Sequence, residues 1–223
     1  MEKIAKIETD FPAKFGIPRQ SGMVEQLPGR IIFEKKYRNP DAVRGLEGFS
    51  HLWILWEFSQ AIRKEWSATV RPPRLGGNTR LGVFATRSPF RPNPIGLSCV
   101  KLERVELEDG LGPVLYVSGI DMMNQTPIYD IKPYLPQADS HPEATGGFTD
   151  ATRTYCLQVE IPPDLLCQIP PERRGVLREV LAQDPRPSYQ HNPRRVYGME
   201  FAGLEVKFTV NGNRLLVCGI ENK

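Results

Sequence analysis

The sequence predicts a mainly β protein: an N-terminal β-barrel followed by a small C-terminal α+β unit. Three observations carry this. Alternating apolar segments succeed one another through the first half of the chain with almost no helical period between them, and closing such a run into a barrel removes its exposed edges. Pro and Gly number 21 and 19 among 223 residues, which suits many turns around short strands. A small, polar, Gly-rich stretch, ADSHPEATGGFTD, then precedes a segment of different character. The expected division is 1–137 as the barrel domain, 138–150 as a linker, and 151–223 as the α+β domain.

Taken in order, Ile4 to Glu8 and Arg30 to Tyr37 alternate with period 2 and read as strands. Phe49 to Phe58, FSHLWILWEF, is short, aromatic and almost continuously apolar, which suggests a strand buried on both faces. Leu81 to Thr86, Leu97 to Leu107 and Val114 to Gly119 continue the series. Beyond the linker, Thr154 to Ile161 alternates as a strand. Pro171 to Gln183 carries Val176, Leu177, Val180 and Leu181 at helical spacing, with proline at the start, where a missing N–H is harmless. Leu204 to Val210 and Arg214 to Ile220 flank Asn211-Gly212, a strong hairpin signal because both residues tolerate positive φ.

The formal net charge is only +3, so any nucleic-acid footprint must be a local cluster. Cys99, Cys156, Cys167 and Cys218 form no C-x-x-C pair, and no zinc spacing is present. Three of them, Cys99, Cys156 and Cys218, lie in alternating apolar stretches and read as buried thiols. The N-terminus has no apolar signal core and no window approaches a membrane span, so a reducing cytoplasm is expected and a membrane is not. No G-x-G-x-x-G or Walker pattern occurs, which disfavours a Rossmann cofactor site and a P-loop.

Three Pro-fixed loops concentrate the polar chemistry: FGIPRQSG (15–22), TVRPPRLGGN (69–78) and TRSPFRPNPIG (86–96). Arg71, Arg74, Arg80, Arg87 and Arg91 follow one another without an acidic residue between them. A guanidinium fork matches phosphate and stacks on bases, and neighbouring prolines lower the entropy of such loops. Phe90 adds a ring, a combination suited to splayed single-stranded RNA. A solvated surface is the plainer reading of any one such loop. Gly119 to Tyr134, GIDMMNQTPIYDIKPY, follows a strand. Asp121 reads either as a site carboxylate or as a turn residue. Tyr129 and Asp130 read as facing the same region, Asp130 alternatively as an ion-pair partner, and Met122 and Met123 most simply as core. Residue physics alone reaches a basic, loop-built pocket on a barrel and names no reaction.

Several long stretches resemble the family of tRNA adenine N(6)-methyltransferases that act on threonylcarbamoyladenosine beside the anticodon. They are PRQSG, DAVRGLEGFSHLWIL, TVRPPRLGGNTRLGVFATRSPFRPNPIGLS, TPIYDIKPYLP and REVLAQDPRPSY. The likeness covers nearly the whole chain. It implies a non-Rossmann β-barrel that binds S-adenosylmethionine, a small C-terminal domain, a homodimer, and methyl transfer to N(6) of the modified adenosine in tRNA without a metal. By position, the family's cofactor contacts fall on Gln20, Ser21, Gly22, Ser59, Gln60, Arg87, Leu97, Ile120, Asp121, Met122 and Met123. Ser21 stands where the resemblance leads one to expect Pro, and Ser59 where it leads one to expect His, so both are expected to act through backbone groups.

The acceptor nitrogen is a weak nucleophile, and Tyr129 or Asp130 is the expected proton acceptor. Arg71, Arg74, Arg80, Arg91 and Arg186 are the expected tRNA contacts. The alternatives are a non-catalytic RNA-binding barrel, whose loops would look alike, and a hydrolase of a small phosphorylated ligand, against which the lack of a metal cluster or nucleophile triad counts.

Overall fold

A computed structural model describes the chain from Met1 to Lys223 except residues 73, 74, 76, 77, 153, 154, 188, 189 and 191, and the side chains of 151 and 152. Arg74 and the predicted strand start at Thr154 therefore lie outside the described residues. Two compact units are formed.

The first unit comprises Met1–Asp10 and Arg19–Tyr134. Its strands are β1 (Ala5–Thr9), β2 (Pro28–Phe33), β3 (His51–Glu57), the short pair β4 (Thr69–Val70) and β5 (Leu81–Gly82), β6 (Ile95–Glu108), β7 (Gly112–Ser118) and β8 (Pro127–Pro133). Six of them close into a barrel in the order β1-β2-β7-β6-β3-β8, with antiparallel pairing throughout. The mainly β class and the barrel are thus as expected. Alternation supplies the core: Ala5, Ile7, Ile31, Leu52, Ile54, Val100, Leu115, Val117 and Ile128 are each at most 2% exposed. Such period-2 burial is what a single filled barrel interior requires.

Several local readings are corrected. β3 is not buried on both faces: Leu52, Ile54 and Trp56 are buried while Trp53, Leu55 and Glu57 are half-buried, because a barrel strand has one interior face. The strand expected to run to Tyr37 stops at Phe33 and gives way to a 3-10 turn at Lys35–Tyr37. That expected at Leu81 to Thr86 is two residues long before another 3-10 turn at Val83–Ala85. β8, for which the sequence pattern predicts no regular element, is a barrel-closing strand.

The second unit comprises Phe11–Pro18 and Leu135–Lys223. It contains α1 (Pro136–Asp139), β9 (Gln158–Glu160), α2 (Pro163–Leu166), α3 (Pro171–Ala182), β10 (Tyr197–Phe201), β11 (Leu204–Asn211) and β12 (Arg214–Asn222). The sheet order is β10-β11-β12-β9, with only β9 parallel to its neighbour. α3 buries Val176, Leu177, Val180 and Leu181, the stripe its spacing predicts. The Asn211-Gly212 hairpin forms, with Gly212 at φ 58°. Phe11 meets Phe201 edge to face at 5.3 Å, and Phe15 stacks near Phe208. Gly16, at φ 99°, passes so close to Met199 that a Cβ would fall 2.2 Å from its sulfur. The stretch read as a linker, 138–150, overlaps the end of α1 and the start of a 3-10 turn at Gly147–Thr152. Cys156 and Cys218 are exposed rather than buried, and Cys99 is half-buried.

Candidate active site

Two loops and one strand of the barrel unit converge on Asp121. Gly119, directly after β7, has φ 77°, and its carbonyl accepts the N–H of Gly22, also at φ 77°, at 2.9 Å. Positive φ at both positions favours glycine, and it lets the 20–22 loop run against the start of the 119–123 loop. Ser98 occupies a fully buried inward position of β6. The Trp56 Nε1–H donates to Ser98 Oγ at 2.9 Å, and the Ser98 hydroxyl donates to Asp121 Oδ1 at 2.5 Å. A buried indole, a hydroxyl and a carboxylate thus form one chain of hydrogen bonds, in which each donor orients the next.

Burial pushes the Asp121 carboxyl up to about 6, a rise that the Ser98 hydroxyl, backbone N–H groups at Ser21 and Asp121, and the nearby Arg87 charge only partly offset. Arg87 in turn donates to Gln20 Oε1. Gln20, Ser21, Gly22, Arg87 and Asp121, all expected cofactor contacts, are therefore one linked group. The Ser21 hydroxyl oxygen accepts the Cys99 N–H at 3.1 Å and ties the loop to β6, while its backbone N–H is directed at Asp121. Ile120 and Met122 are core residues beside this group, at 1% and 0% exposure, and Met123 is half-buried. Ser59 and Gln60 are exposed just past the end of β3, and Leu97 projects outward from β6.

The expected proton acceptors sit on the outer face of the barrel. β3 pairs Leu55 with Asp130 and Trp56 with Ile128, so Tyr129 is the extra residue of a β-bulge. The bulge has a chemical consequence. Asp130 shares the outward phase of its partner Leu55, and Tyr129 reaches Glu57, two residues further along that same face. Consecutive side chains therefore lie on one face, where a regular strand would separate them. The Tyr129 hydroxyl donates to Glu57 Oε2 at 3.0 Å, and burial together with Glu57 pushes the phenol above its ordinary value. Asp130 is engaged otherwise, accepting the Ile131 N–H at 3.0 Å and pairing with Lys132 at 2.9 Å. Sequence reasoning missed Glu57 and Ser98. Ser98 had a signal, as a polar residue in the inward phase of an apolar strand; Glu57 had none beyond its place at a strand end.

The expected tRNA-contacting arginines divide. Arg71 and Arg80 are exposed, Arg80 donating to Thr69 Oγ1 at 3.0 Å. Arg91 is half-buried, donating to the Thr86 carbonyl at 2.9 Å. Arg186 lies in a different setting from the exposed Arg71 and Arg80. It is 8% exposed, with Nε 2.8 Å and Nη2 3.0 Å from the two carboxylate oxygens of Asp184, which also accepts the Tyr155 hydroxyl at 2.8 Å. A guanidinium committed to a buried carboxylate has little left to offer a phosphate. Among the described residues no group of three or more His, Cys, Asp or Glu is placed to hold a metal, and no helix is long and apolar enough to cross a membrane.

Comparison with known proteins matches this architecture. The family described as tRNA-methyltransferase O N-terminal domain matches residues 6–140, and the TrmO C-terminal domain matches residues 148–223. A protein named tRNA (adenine(37)-N6)-methyltransferase from Escherichia coli K12 is 45% identical over 228 residues, covering 99% of this chain and 97% of that one. A putative S-adenosylmethionine-dependent methyltransferase, RcsF, from Pseudomonas aeruginosa PAO1 is 38% identical, covering 91% and 89% of the two chains. A crystal structure of TrmO from Pseudomonas aeruginosa superposes with a TM-score of 0.79 at 32% identity, covering 99% of this chain and 95% of that one. With both domain families matched in order, and a relative this similar along the full length, the chain belongs to the tRNA-methyltransferase O family.

Proposed function

We propose that this protein is an S-adenosylmethionine-dependent tRNA (adenine-N(6))-methyltransferase acting on position 37, beside the anticodon, and that its substrate there is threonylcarbamoyladenosine. The observation that carries the reading is the full-length relationship to an enzyme named for methylating adenine 37 at N6. The polar group around Asp121 supports it. One desolvated carboxylate, one guanidinium and one side-chain amide, flanked by apolar Ile120 and Met122, fit a ligand that carries both charges of an amino acid, a cationic sulfonium and a ribose diol.

S-adenosylmethionine, when bound, supplies an electrophilic methyl group on sulfur. The chain's own residues then have three tasks. Gln20, Ser21, Gly22, Arg87, Ile120, Asp121, Met122 and Met123 hold and orient the cofactor, with Ser59, Gln60 and Leu97 at the margin; alignment of donor and acceptor is the main source of rate in such a displacement. Tyr129 accepts the acceptor nitrogen's proton while passing its own to Glu57, which lets a phenol with a raised pKa act without becoming a free phenolate. Asp130, held by Lys132, is the less favoured acceptor. Arg71, Arg80, Arg87 and Arg91 supply the positive charge that phosphates and the threonyl carboxylate require.

The active form is a homodimer in the cytoplasm. The outer face of β3 and β6 supports the dimer, because Leu97 and Ile95 are 53% and 36% exposed beside Leu55, Leu97's partner across the ladder. Exposed thiols at Cys156, Cys167 and Cys218 suit a reducing compartment. The test follows transfer of a labelled methyl group to transcribed tRNA with and without prior threonylcarbamoylation. An Arg–carboxylate pair formed only with the modified base is worth about 1.5–3 kcal/mol, or about a tenfold to hundredfold preference. Equal rates on both tRNAs would overturn the carboxylate reading.

A further inference from the structure

The segment joining β3 to β6 carries the most lopsided charge in the molecule. From Arg63 to Arg91 it holds seven basic residues and a single acidic one, Glu65, whereas the whole chain has a net charge of only +3. The remainder of the protein is therefore net acidic, and the positive field belongs to this segment.

Within it, aromatic rings are displayed rather than buried. Trp66 and Phe84 are 53% and 71% exposed, and their rings stack with centroids 6.0 Å apart and planes 26° from parallel. The Arg91 guanidinium lies 5.9 Å from the Phe84 ring centre, and Arg63 covers Phe90 at 3.6 Å. Large rings held at the surface forgo the burial that normally makes aromatic residues stabilising. Flanking guanidinium groups would disfavour an apolar protein surface as their cover, since its contacts would have to desolvate cations without offering them an anion. A flexible polyanion whose flat bases are not already paired offers both a π-face and a phosphate.

We propose that the Trp66–Phe84 pair, with Arg91 beside it, is a stacking platform for an unpaired base of the tRNA anticodon loop other than the adenine that reacts. The proposal rests on the tRNA-methyltransferase reading above. It adds a recognition element that none of the residues grouped around Asp121 supplies. The platform reads single-strandedness rather than sequence, because every base presents a π-face. It therefore favours a splayed loop over a helical stem.

The experiment measures binding of a fluorescently labelled anticodon stem-loop RNA, alongside steady-state methyl transfer to the full tRNA. Trp66→Ala and Phe84→Ala should each weaken RNA binding about tenfold and raise KM for tRNA in step, with S-adenosylmethionine binding unchanged. Trp66→Phe should retain most of the affinity. Replacing loop nucleotides one at a time by abasic sites should identify a position whose loss costs the wild type about tenfold and costs Trp66→Ala nothing further. RNA binding equal to wild type in both alanine variants would overturn the proposal, as would an alanine variant whose only defect is loss of self-association in sedimentation. Absence of methyl transfer by the wild type would instead refute the activity reading, while Trp66-dependent RNA binding would still stand.

Discussion

Removing the Ser98 hydroxyl isolates the chain that links Trp56 to Asp121. Ser98→Ala deletes the donor to Asp121 Oδ1 and the acceptor of the Trp56 indole N–H in one step. A hydrogen bond to a charged group contributes about 1.5–3 kcal/mol, and one pKa unit is about 1.4 kcal/mol, so the carboxyl should rise from about 6 by roughly one to two further units. The orphaned, buried indole N–H adds a destabilisation of about 1–3 kcal/mol. Calorimetric titration of S-adenosylmethionine between about pH 5 and 9 reads the effect. In the wild type, affinity should climb as pH rises through about 6, since the carboxylate is the ligand-competent form. In Ser98→Ala the same climb should be displaced upward by one to two units, and in Asp121→Asn it should vanish. A folded Ser98→Ala protein whose affinity profile overlays that of the wild type would refute the idea that this chain sets the state of Asp121.

The same carboxyl affects stability in the opposite sense. Its folded pKa is raised, so the stability it contributes is complete below about pH 4 and is lost as pH rises through about 6. Asp121→Asn should therefore stabilise the cofactor-free protein near pH 7.5, by at most about 3 kcal/mol, in urea unfolding, while weakening cofactor binding. Tyr129→Phe and Glu57→Gln should each lower kcat about a hundredfold with little change in either KM, whereas Asp130→Asn should do much less; the reverse ranking in steady-state kinetics would reassign the proton acceptor. Arg71→Ala and Arg80→Ala should each reduce the slope of log affinity against log salt for tRNA by about 0.7–1 unit, and unchanged slopes would remove these arginines from the phosphate contacts. Arg186→Ala should unfold at clearly lower urea, a loss of about 3–5 kcal/mol from leaving the buried Asp184 carboxylate without its guanidinium; intact stability with a raised KM for tRNA would support it as an RNA contact.

The barrel was legible because burial in it is periodic. β1, β3 and the first half of β6 alternate buried and more exposed residues along one interior face, while β2 and β7 bury consecutive residues at Ile31–Phe33 and Pro113–Leu115 and were legible as short β-branched, apolar runs. β8 was hidden for a reason that concerns function. Its sequence, PIYDIKP, opens and closes with proline and puts two polar side chains in succession, which breaks alternation. The break is the bulge itself, and a bulge is specified by the register of the neighbouring strand, here Leu55 to Asp130 and Trp56 to Ile128. No local pattern encodes it. β10 was overlooked for a different reason: YGMEF does alternate, burying Tyr197, Met199 and Phe201, but the run is only five residues long and its glycine and glutamate mask the pattern. Cys156 and Cys218 show the limit of the same logic, since an apolar neighbourhood in sequence did not make either thiol buried.

What sequence could not separate was a polar residue used by the fold from one left available to a ligand. Asp121 and Asp184 illustrate it. Both are carboxylates in turns that follow regular elements, and each has an arginine within reach. Asp184 adopts φ 52°, receives both the Nε and the Nη2 of Arg186 together with the Tyr155 hydroxyl, and is held below its usual value because these donors outweigh burial. Asp121 is held by a neutral hydroxyl and backbone groups, its arginine is bound to Gln20 instead, and burial wins, so the carboxyl is raised. A carboxylate whose charge is fully answered within the protein is a structural element. One that is desolvated and answered by neutral donors stores an unfavourable charge that a cationic or diol-bearing ligand can relieve. The same distinction separates the arginines: Arg186 is answered, while Arg71 and Arg80 lie exposed with no carboxylate between them in the chain from Arg71 to Arg91. The direction in which burial and pairing leave each charge, rather than residue type or spacing, is what singles out the proposed site around Asp121 from the scaffold.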